Sequence, residues 1–335
     1  MTRKLEKAFR DYVGCEHAIA TTSCTTGLET ALRALRLGPE DEVIVPDYTY
    51  PATGDVVAIV GARVVIVDVD PETMLIAYDA LEEAITPKTK VIIPVSLFGN
   101  PLDYDRLLAI KKRYGLFIVE DAACSIGAEY NGTKVGNLAD ISVFSMHPRK
   151  FITTGEGGVI STNNSQWADW MNSYKRFGIG VQTSPKNNSF ERIGTNYKLS
   201  DLLSAVGLVQ MRHIDELLKR RIELADKYIH LLEDTEGVRI PVTTNLGKHS
   251  RQSLCIHIES RDEVMGRMRQ RGIEVQIGTY SLHMHPAFAS SRRFRVCGDM
   301  PGSKYAFEHC LSLPLYHEMT DEDQKTVVNN LCEFV

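Results

Sequence analysis

Short runs of β-branched and other apolar residues alternate with helical stretches through the first half of the chain. The seven runs are residues 18–23, 42–46, 62–70, 90–96, 116–121, 140–145 and 157–162. Such alternation is typical of an α/β fold with a mostly parallel sheet. Helices on both faces of the sheet explain why the runs are continuously apolar. We therefore predict a seven-stranded, mostly parallel sheet flanked by helices, with ligands bound beyond the carboxyl ends of the strands.

The pattern changes in the second half of the chain. A helical stretch from Leu199 to about residue 233 has the length of a helix that connects two domains, a kink being the alternative to one continuous helix. Strand and helix signals then mix, at residues 253–258, 262–271, 272–277 and 320–334. We predict a large α/β domain over residues 1–200, then an interdomain helix and a small C-terminal α+β domain over residues 201–335.

The bulk composition excludes several classes of protein. The 335-residue chain has a formal net charge of −5, without the basic surplus of nucleic-acid binders. Its seven cysteines are scattered and form no CxxC pair, which argues against a disulfide framework and a zinc site. The sequence shows no secretory signal and no apolar run of transmembrane length. We expect a cytoplasmic protein with neither a nucleic-acid nor a membrane partner.

Asp121 ends the fifth apolar run, LFIVED, and should therefore project at the carboxyl edge of its strand. An aspartate at such a place often caps a helix. A different role is available if a pyridine ring lies beside it, because a carboxylate that faces the ring nitrogen keeps this atom protonated and makes the ring an electron sink. That second role requires a nearby lysine.

Lys150 is such a lysine, because it follows the next run, residues 140–145, in the motif SMHPRKFITTGEGG. Most lysines in loops are solvated surface charges. Here the ends of successive strands should bring Lys150 close to Asp121, and the glycines that follow let backbone approach a ligand closely. We expect partial burial beside other cations to lower the pKa of Lys150, so that it forms a Schiff base near neutral pH.

The segment TTSCTTGLETALRAL, residues 21–35, offers a place for the phosphate of a Schiff-base cofactor. Its apolar spacing predicts a helix, and Thr26 with Glu29 fits a capping box, so hydroxyl and free N–H groups should converge at the helix start. An ordinary capped helix is the alternative. Tyr50, in the loop of VIVPDYTYPAT, is placed to stack on a planar ring, although most loop tyrosines only cover the core.

Together these segments resemble the DegT-like (DegT/DnrJ/StrS) sugar aminotransferases, which are pyridoxal phosphate (PLP) enzymes of fold type I. The match runs in order through TTSCTTGLETAL, DEVIVPDYTYPAT, VEDAACSIGA, FSMHPRKFITTGEGG, GTNYKLSD and LSLPLYHEMTDED. The resemblance implies an enzyme that moves an amino group from glutamate to a keto carbon of a nucleotide-linked sugar. It also implies a homodimer with active sites at the subunit interface.

The resemblance further implies roles for particular residues. Lys150 should hold PLP through a Schiff base and shuttle a proton, while Asp121 pairs with the pyridinium nitrogen. Tyr50 occupies the ring-stacking position. The other expected contacts with the cofactor are Thr25, Thr26, Cys124, Ser145 and, from the partner subunit, Asn196. The expected contacts with the substrate are His147, for which a packed histidine is the alternative, and His283.

Three features depart from the family pattern. Cys124 stands where many relatives have glutamine, which removes a hydrogen-bonding amide beside the cofactor ring. Lys198 stands where arginine is common, which removes a bidentate fork. Relatives usually carry a further glycine-rich segment at the N-terminus that helps to close the substrate site, so we expect either a truncated or a naturally short form.

Three other functions compete with the aminotransferase at this point. A sugar 3-dehydratase of the same family is disfavoured by Lys150, because those enzymes carry histidine at that position. A catalytically idle relative that acts as a regulator or scaffold is compatible with the short N-terminus. An NAD-dependent sugar enzyme is disfavoured because no GxGxxG motif follows the first strand.

Overall fold

The computed structural model describes residues 1–180, 189–289 and 293–335. The α-helices in these ranges are α1 (Thr2–Val13), α2 (Cys24–Ala34), α3 (Ala52–Val60), α4 (Tyr78–Ala84), α5 (Tyr104–Tyr114), α6 (Ser165–Tyr174), α7 (Asp201–Arg212), α8 (Ile214–Leu232), α9 (Arg261–Gln270), α10 (Pro286–Ala289), α11 (Pro301–His309) and α12 (Asp321–Cys332). Short 3₁₀ helices lie at Leu97–Gly99 and Leu282–Met284. None of the helices in the described ranges is both long and apolar enough to cross a membrane.

The strands are numbered in chain order over the same ranges. They are β1 (His17–Thr21), β2 (Glu42–Pro46), β3 (Tyr48–Thr49), β4 (Arg63–Val67), β5 (Thr89–Ile92), β6 (Phe117–Asp121), β7 (Glu129–Tyr130), β8 (Thr133–Lys134), β9 (Ile141–Ser145), β10 (Gly158–Thr162), β11 (Val238–Arg239), β12 (Gly247–Lys248), β13 (Leu254–Ile258), β14 (Gln276–Ile277), β15 (Tyr280–Ser281), β16 (Phe294–Val296) and β17 (Cys310–Leu313). Every strand of the main sheet has three to five residues, and the two-residue strands all lie outside it.

Eight of the described strands form the main sheet, in the order β1-β10-β9-β6-β5-β2-β4-β16. Neighbouring strands run parallel except at β10, which is antiparallel to both β1 and β9. All seven predicted runs are strands of this sheet, so the predicted mostly parallel α/β architecture is confirmed. The eighth strand, β16, has no counterpart among the predicted runs, because its three residues do not form an apolar run.

Alternate side chains of the main sheet enter two separate hydrophobic clusters. In β2, for example, Ile44 belongs to one cluster, while Val43 and Val45 belong to the other. Every residue of β2 is buried. Both faces of the sheet are therefore covered by helices and loops, as the continuously apolar runs indicate, and polar ligands have access mainly at the strand ends.

The second half of the chain contributes a smaller sheet and its helices. The predicted long helical stretch is divided at His213 into α7 and α8. A third hydrophobic cluster joins α8, α9 and α12 to a sheet in the order β11-β13-β17-β14. Three strands of this half, β12, β15 and β16, pair instead with β7, β3 and β4 of the first half. The division into domains at residue 200 stays a prediction.

Candidate active site

The site lies where two neighbouring parallel strands of the main sheet end. Strand β6 ends at Asp121, whose partner in β9 is Val143, and β9 ends two residues later at Ser145. A turn follows β9, in which the N–H of Lys150 donates to the carbonyl of His147 at 2.9 Å. Because parallel strands end at the same edge of a sheet, Lys150 is carried back toward Asp121.

Asp121 is buried and its carboxylate accepts three contacts. Its Oδ2 accepts from Thr53 Oγ1 at 2.8 Å, its Oδ1 accepts from the N–H of Ala123 at 3.1 Å, and Cys24 Sγ lies 3.9 Å from Oδ1. The residues that follow form turns rather than a helix, so the helix-cap alternative is excluded. Burial raises the pKa of Asp121, and its hydrogen-bond donors offset this only in part.

Lys150 points from its turn toward the end of β6, where its Nζ donates to Cys124 Sγ at 2.9 Å. Burial by itself lowers the pKa of this amine, but the thiols of Cys124 and Cys24 and the carboxylate of Asp121 outweigh burial, and the pKa is raised. The prediction of a lowered pKa beside other cations is therefore wrong. The groups around the amine are sulfur atoms and a carboxylate, which favour its charged form.

Hydroxyl and N–H groups converge at the start of α2, although the residues that cap the helix differ from the prediction. The capping box joins Ser23 and Thr26: the N–H of each donates to the side chain of the other, at 3.0 and 3.1 Å. Glu29 does not take part, because it pairs with Arg33 at 2.6 Å and accepts from Tyr197 at 2.8 Å. The hydroxyl of Thr26 is thus engaged in the cap, whereas Thr25 is exposed.

Ser145 is brought beside this helix start by the strand next to it. Ser145 pairs with Gly158 across β9 and β10, and its Oγ accepts from the N–H of His147 at 3.3 Å. A Cβ atom at Gly158 would lie 2.5 Å from the backbone of Ser23, closer than real side-chain atoms approach. This glycine therefore permits the close packing of β10 on the start of α2, and the approach of backbone to a ligand stays a prediction.

Two residues of the site carry no distinctive sequence signal. Thr53 donates to Asp121 and also lies 2.9 Å from Thr49 Oγ1. Cys24 is the first residue of α2, its Sγ faces Asp121, and burial raises the pKa of its thiol well above the ordinary value. Their positions follow from the packing of α2 and α3 against the strand ends, which no short motif encodes.

Tyr50 and His283 lie on the side of the site formed by the loop after β2. Tyr50 is 64% exposed, and its ring centroid lies 6.3 Å from that of Tyr280. His283 is held by the fully buried Asp47, which accepts from its N–H at 2.7 Å and from its Nδ1 at 2.6 Å. The Tyr50 ring is thus free on one side for stacking, while His283 has a fixed orientation that leaves Nε2 for another partner.

The side chains of His147 and Asn196 make their polar contacts with residues other than Lys150 and Asp121. His147 Nε2 lies 3.7 Å from Glu156, and its Nδ1 accepts from the N–H of Arg149 at 3.2 Å. Asn196 Oδ1 accepts from Lys198. The segment that carries Asn196 nevertheless lies near the start of α2, because the N–H of Thr22 donates to the carbonyl of Tyr197 at 3.1 Å.

These residues fit PLP. The buried Asp121 carboxylate takes its hydrogen bonds from neutral groups and has a raised pKa, so a cationic ring nitrogen would supply the charge that stabilises it. The N–H of Thr26 is held by the Ser23 side chain, but the N–H groups of Cys24 and Thr25 before it lie in the first turn of α2 and suit a phosphate. The amine of Lys150 lies at the same strand ends, where its Nζ is 2.9 Å from Cys124 Sγ.

Comparison with known proteins identifies aminotransferase relatives that match nearly the whole chain. The sequence pattern of the DegT/DnrJ/EryC1/StrS aminotransferase family matches residues 1–332. The spore coat polysaccharide biosynthesis protein SpsC of Bacillus subtilis is 31% identical over 350 residues, covering 99% of this chain and 89% of SpsC. The structure of DesV from S. venezuelae, solved with a ketimine intermediate, has a TM-score of 0.93 at 31% identity, covering 99% of this chain and 88% of DesV.

A second solved structure bears on the cofactor. The PLP form of Spr1654 from Streptococcus pneumoniae has a TM-score of 0.91 at 29% identity, covering 99% of this chain and 90% of that chain. The family match, the shared architecture and the fit of the site agree with one another. The chain belongs to the DegT/DnrJ/EryC1/StrS aminotransferase family, and it is a PLP-dependent aminotransferase of fold type I.

Proposed function

We propose that the enzyme moves an amino group from glutamate to a keto carbon of a nucleotide-linked sugar, as part of amino-sugar and polysaccharide biosynthesis. The observation that carries the proposal is the placement of Lys150 and the buried Asp121 at the adjoining ends of β9 and β6. The family match supports the sugar as acceptor, and the similarity to SpsC, a protein of spore coat polysaccharide biosynthesis, supports the pathway class.

Each residue has a defined task in this proposal. When bound, PLP supplies an aldehyde that captures amino groups and a ring that withdraws electrons. Asp121 keeps a proton on the ring nitrogen, and Thr53 and Ala123 fix the direction of its carboxylate. Lys150 Nζ binds the cofactor at rest, and after its release it moves a proton away from the α-carbon of glutamate.

The remaining assigned residues hold the cofactor and the sugar. Tyr50 covers one face of the ring with its exposed side chain, and Cys124 lies beside Lys150 near the ring. The start of α2, with Thr25 and Thr26, and the neighbouring Ser145 bind the phosphate. His147 and His283 face the substrate in this proposal, with Nε2 of His283 available to a sugar hydroxyl or phosphate.

The site disfavours the alternatives. A lysine at position 150 disfavours the sugar 3-dehydratase, whose members carry histidine there. An idle scaffold would have no need of a buried carboxylate with a raised pKa beside a lysine, because such a group destabilises the cofactor-free protein. Both observations favour catalysis by transamination.

The described surface supports a homodimer. Leu202, Val206 and Val209 lie on one face of α7 at helical spacing and are 82%, 48% and 51% exposed. An apolar face of this kind usually marks a contact with another chain. We infer that a second copy of the chain covers it, and that Asn196, just before α7, then reaches the phosphate in the partner subunit.

The cysteines support a reducing compartment such as the cytoplasm. All seven are free thiols, and three of them, Cys15, Cys255 and Cys310, are buried. An oxidising environment would favour disulfides in a secreted chain.

A half-reaction screen tests the proposed substrate. Glutamate first converts the enzyme to its pyridoxamine phosphate form, and small molecules are then removed by gel filtration. We expect keto-sugar nucleotides to restore the PLP absorbance, and the same keto-sugars without the nucleotide to do so poorly. Restoration by 2-oxo acids alone, with no keto-sugar active, would make the protein an amino-acid aminotransferase and refute the proposal.

A further inference from the structure

The side chain of Gln252 forms hydrogen bonds with the backbone on both sides of Lys150. Its Oε1 accepts from the N–H of Phe151 at 3.2 Å, and its Nε2 donates to the carbonyl of Arg149 at 3.0 Å. These two backbone groups lie on either side of the lysine. Gln252 is only 5% exposed, so its bond from Phe151 is shielded from water. Because Phe151 lies outside any helix or strand, this bond is not duplicated by a regular ladder.

Gln252 is itself held in place by a buried arginine of α8. The Nη2 of Arg221 donates to the carbonyl of Gln252 at 2.6 Å, and its Nε donates to the carbonyl of Arg251 at 2.7 Å. Arg221 has no carboxylate partner among the described residues, and burial lowers its pKa to about 10. A charged group kept in such a position binds backbone carbonyls strongly, since charge-assisted hydrogen bonds are stronger than neutral ones.

The segment Ser250–Gln252 also contacts the other strand ends of the site. The N–H of Ser250 donates to the carbonyl of Gly99 at 2.9 Å, in the 3₁₀ helix after β5. Its Oγ lies 3.5 Å from the carbonyl of Cys124, after β6. A Cβ atom at Gly99 would lie 3.0 Å from the backbone of Arg251, so this glycine permits the close packing. Three loops of the main sheet therefore meet one segment from the second half of the chain.

We propose that Gln252 is a positioning residue for Lys150, and that Arg221 fixes Gln252 for this task. A lysine side chain has many rotamers, so the direction of its Nζ depends on how firmly the backbone at its base is held. By fixing the carbonyl before Lys150 and the N–H after it, Gln252 keeps the amine aimed at the end of β6. The inference rests on the proposed role of Lys150 in binding PLP.

The test follows covalent capture of PLP by the cofactor-free protein. In this step the neutral amine of Lys150 adds to the PLP aldehyde and one water molecule leaves, so no other reactant is required. Borohydride quenching at successive times, followed by mass spectrometry, gives the rate at which Lys150 is labelled. For Gln252→Leu we expect capture about 10-fold slower or more, because small misplacements of a reacting group reduce rates by up to about 100-fold.

Gln324→Leu is the matched control. Gln324 is also a buried glutamine, and its Nε2 donates to the carbonyl of Leu224 at 2.7 Å, beside the third hydrophobic cluster. Both substitutions remove a buried amide, so both should lower the melting temperature. Only Gln252→Leu should slow capture and speed amide hydrogen exchange at Phe151. Equal capture rates in the two variants would overturn the proposal.

A second variant covers the case in which Gln252→Leu does not fold. Gln252→Glu keeps the shape and the acceptor for Phe151 but lacks the donor to Arg149, and we expect its capture rate to lie several-fold below that of the wild type. A wild-type rate in this variant would overturn the inference. If the adduct of the wild-type protein forms on a lysine other than Lys150, the proposed function of Lys150 fails instead, so the two failures are distinguishable.

Discussion

Replacing Asp121 with asparagine should separate catalysis from stability. The amide of Asp121→Asn can keep the bond from the Ala123 N–H through its oxygen and turn its NH₂ group toward Thr53 Oγ1. Thr53 can then donate to Thr49, whose Oγ1 lies 2.9 Å away. The hydrogen bonds of the cofactor-free site are therefore preserved, and the main change is the loss of a buried negative charge.

The sign of the stability change follows from the pKa of Asp121. Because burial raises this pKa in the folded protein, the group stabilises the fold below its unfolded pKa of about 3.9, and this contribution is lost as pH rises through the higher folded value. At neutral pH the ionised carboxylate is thus a cost to the cofactor-free protein. We expect the melting temperature of cofactor-free Asp121→Asn at pH 7 to equal or exceed that of the wild type, with the difference disappearing near pH 3.

Catalysis should change in the opposite direction. A hydrogen bond to a charged partner contributes about 1.5–3 kcal/mol, so losing the contact with the ring nitrogen should weaken PLP binding about 10- to 100-fold. The weaker electron withdrawal of an unprotonated ring should slow the glutamate half-reaction further, which stopped-flow absorbance measures in a single turnover. A single-turnover rate within threefold of the wild type at saturating PLP would refute the assigned role of Asp121.

Glu120 provides the control for this experiment. It precedes Asp121 in β6, is fully buried, and burial raises its pKa as well. Its carboxylate points to the other face of the sheet, where it accepts from Tyr104 at 2.6 Å and from Ser142 at 2.8 Å. Glu120→Gln removes the same charge one residue away, and it should leave the single-turnover rate within a few-fold of the wild type.

Other predictions concern the lysine, the shared site and the dimer. Lys150→Ala should still bind PLP without a borohydride-reducible link, and mass spectrometry of the reduced wild type should place the adduct on Lys150; an adduct elsewhere contradicts the assignment. Asn196→Ala should be inactive at limiting PLP, since the lost bond to phosphate costs about 1.5–3 kcal/mol. Refolded together, Asn196→Ala and Lys150→Ala should recover about a quarter of wild-type activity, because random pairing makes roughly half of the dimers mixed, each with one intact site; no recovery means that Asn196 serves its own subunit. Leu202→Asp on the exposed face of α7 should shift the protein toward monomer in analytical ultracentrifugation, whereas Leu108→Asp, on the 37% exposed Leu108 of α5, should not.

The sequence predicts the strands of the main sheet well because these strands are buried on both faces and read as continuous apolar runs. Strand β16 is not predicted in this way, because an edge strand of three residues is too short to form an apolar run. The smaller sheet is predicted only in part: the run at 253–258 is β13, whereas the run at 272–277 contains only the two-residue strand β14.

The site is predictable where a residue type and a strand end coincide, as at Asp121 and Lys150. The surroundings of the lysine are not, because Cys24, Thr53 and Gln252 arrive from distant parts of the chain with no motif of their own. The pKa of Lys150 is mispredicted for the same reason, because thiols and a carboxylate lie beside its amine instead of the expected cations. The capping box at Ser23 and Thr26 shows a further limit, because Glu29 fits the pattern equally well but prefers Arg33.

The pairing of β1 with β10 has a consequence for biosynthesis. His17 to Thr21 must wait for Gly158 to Thr162 to leave the ribosome before β1 can join the sheet, and the N-terminus contacts Asp201, still later in the chain. The parallel strands β2, β4, β5 and β6 can assemble earlier, because all of their partners in this group are made before residue 122. Nascent chains that end before β10 would expose an unpaired edge at β9, and such edges recruit other chains. Ribosome stalling in this interval should therefore yield aggregates rather than folded intermediates.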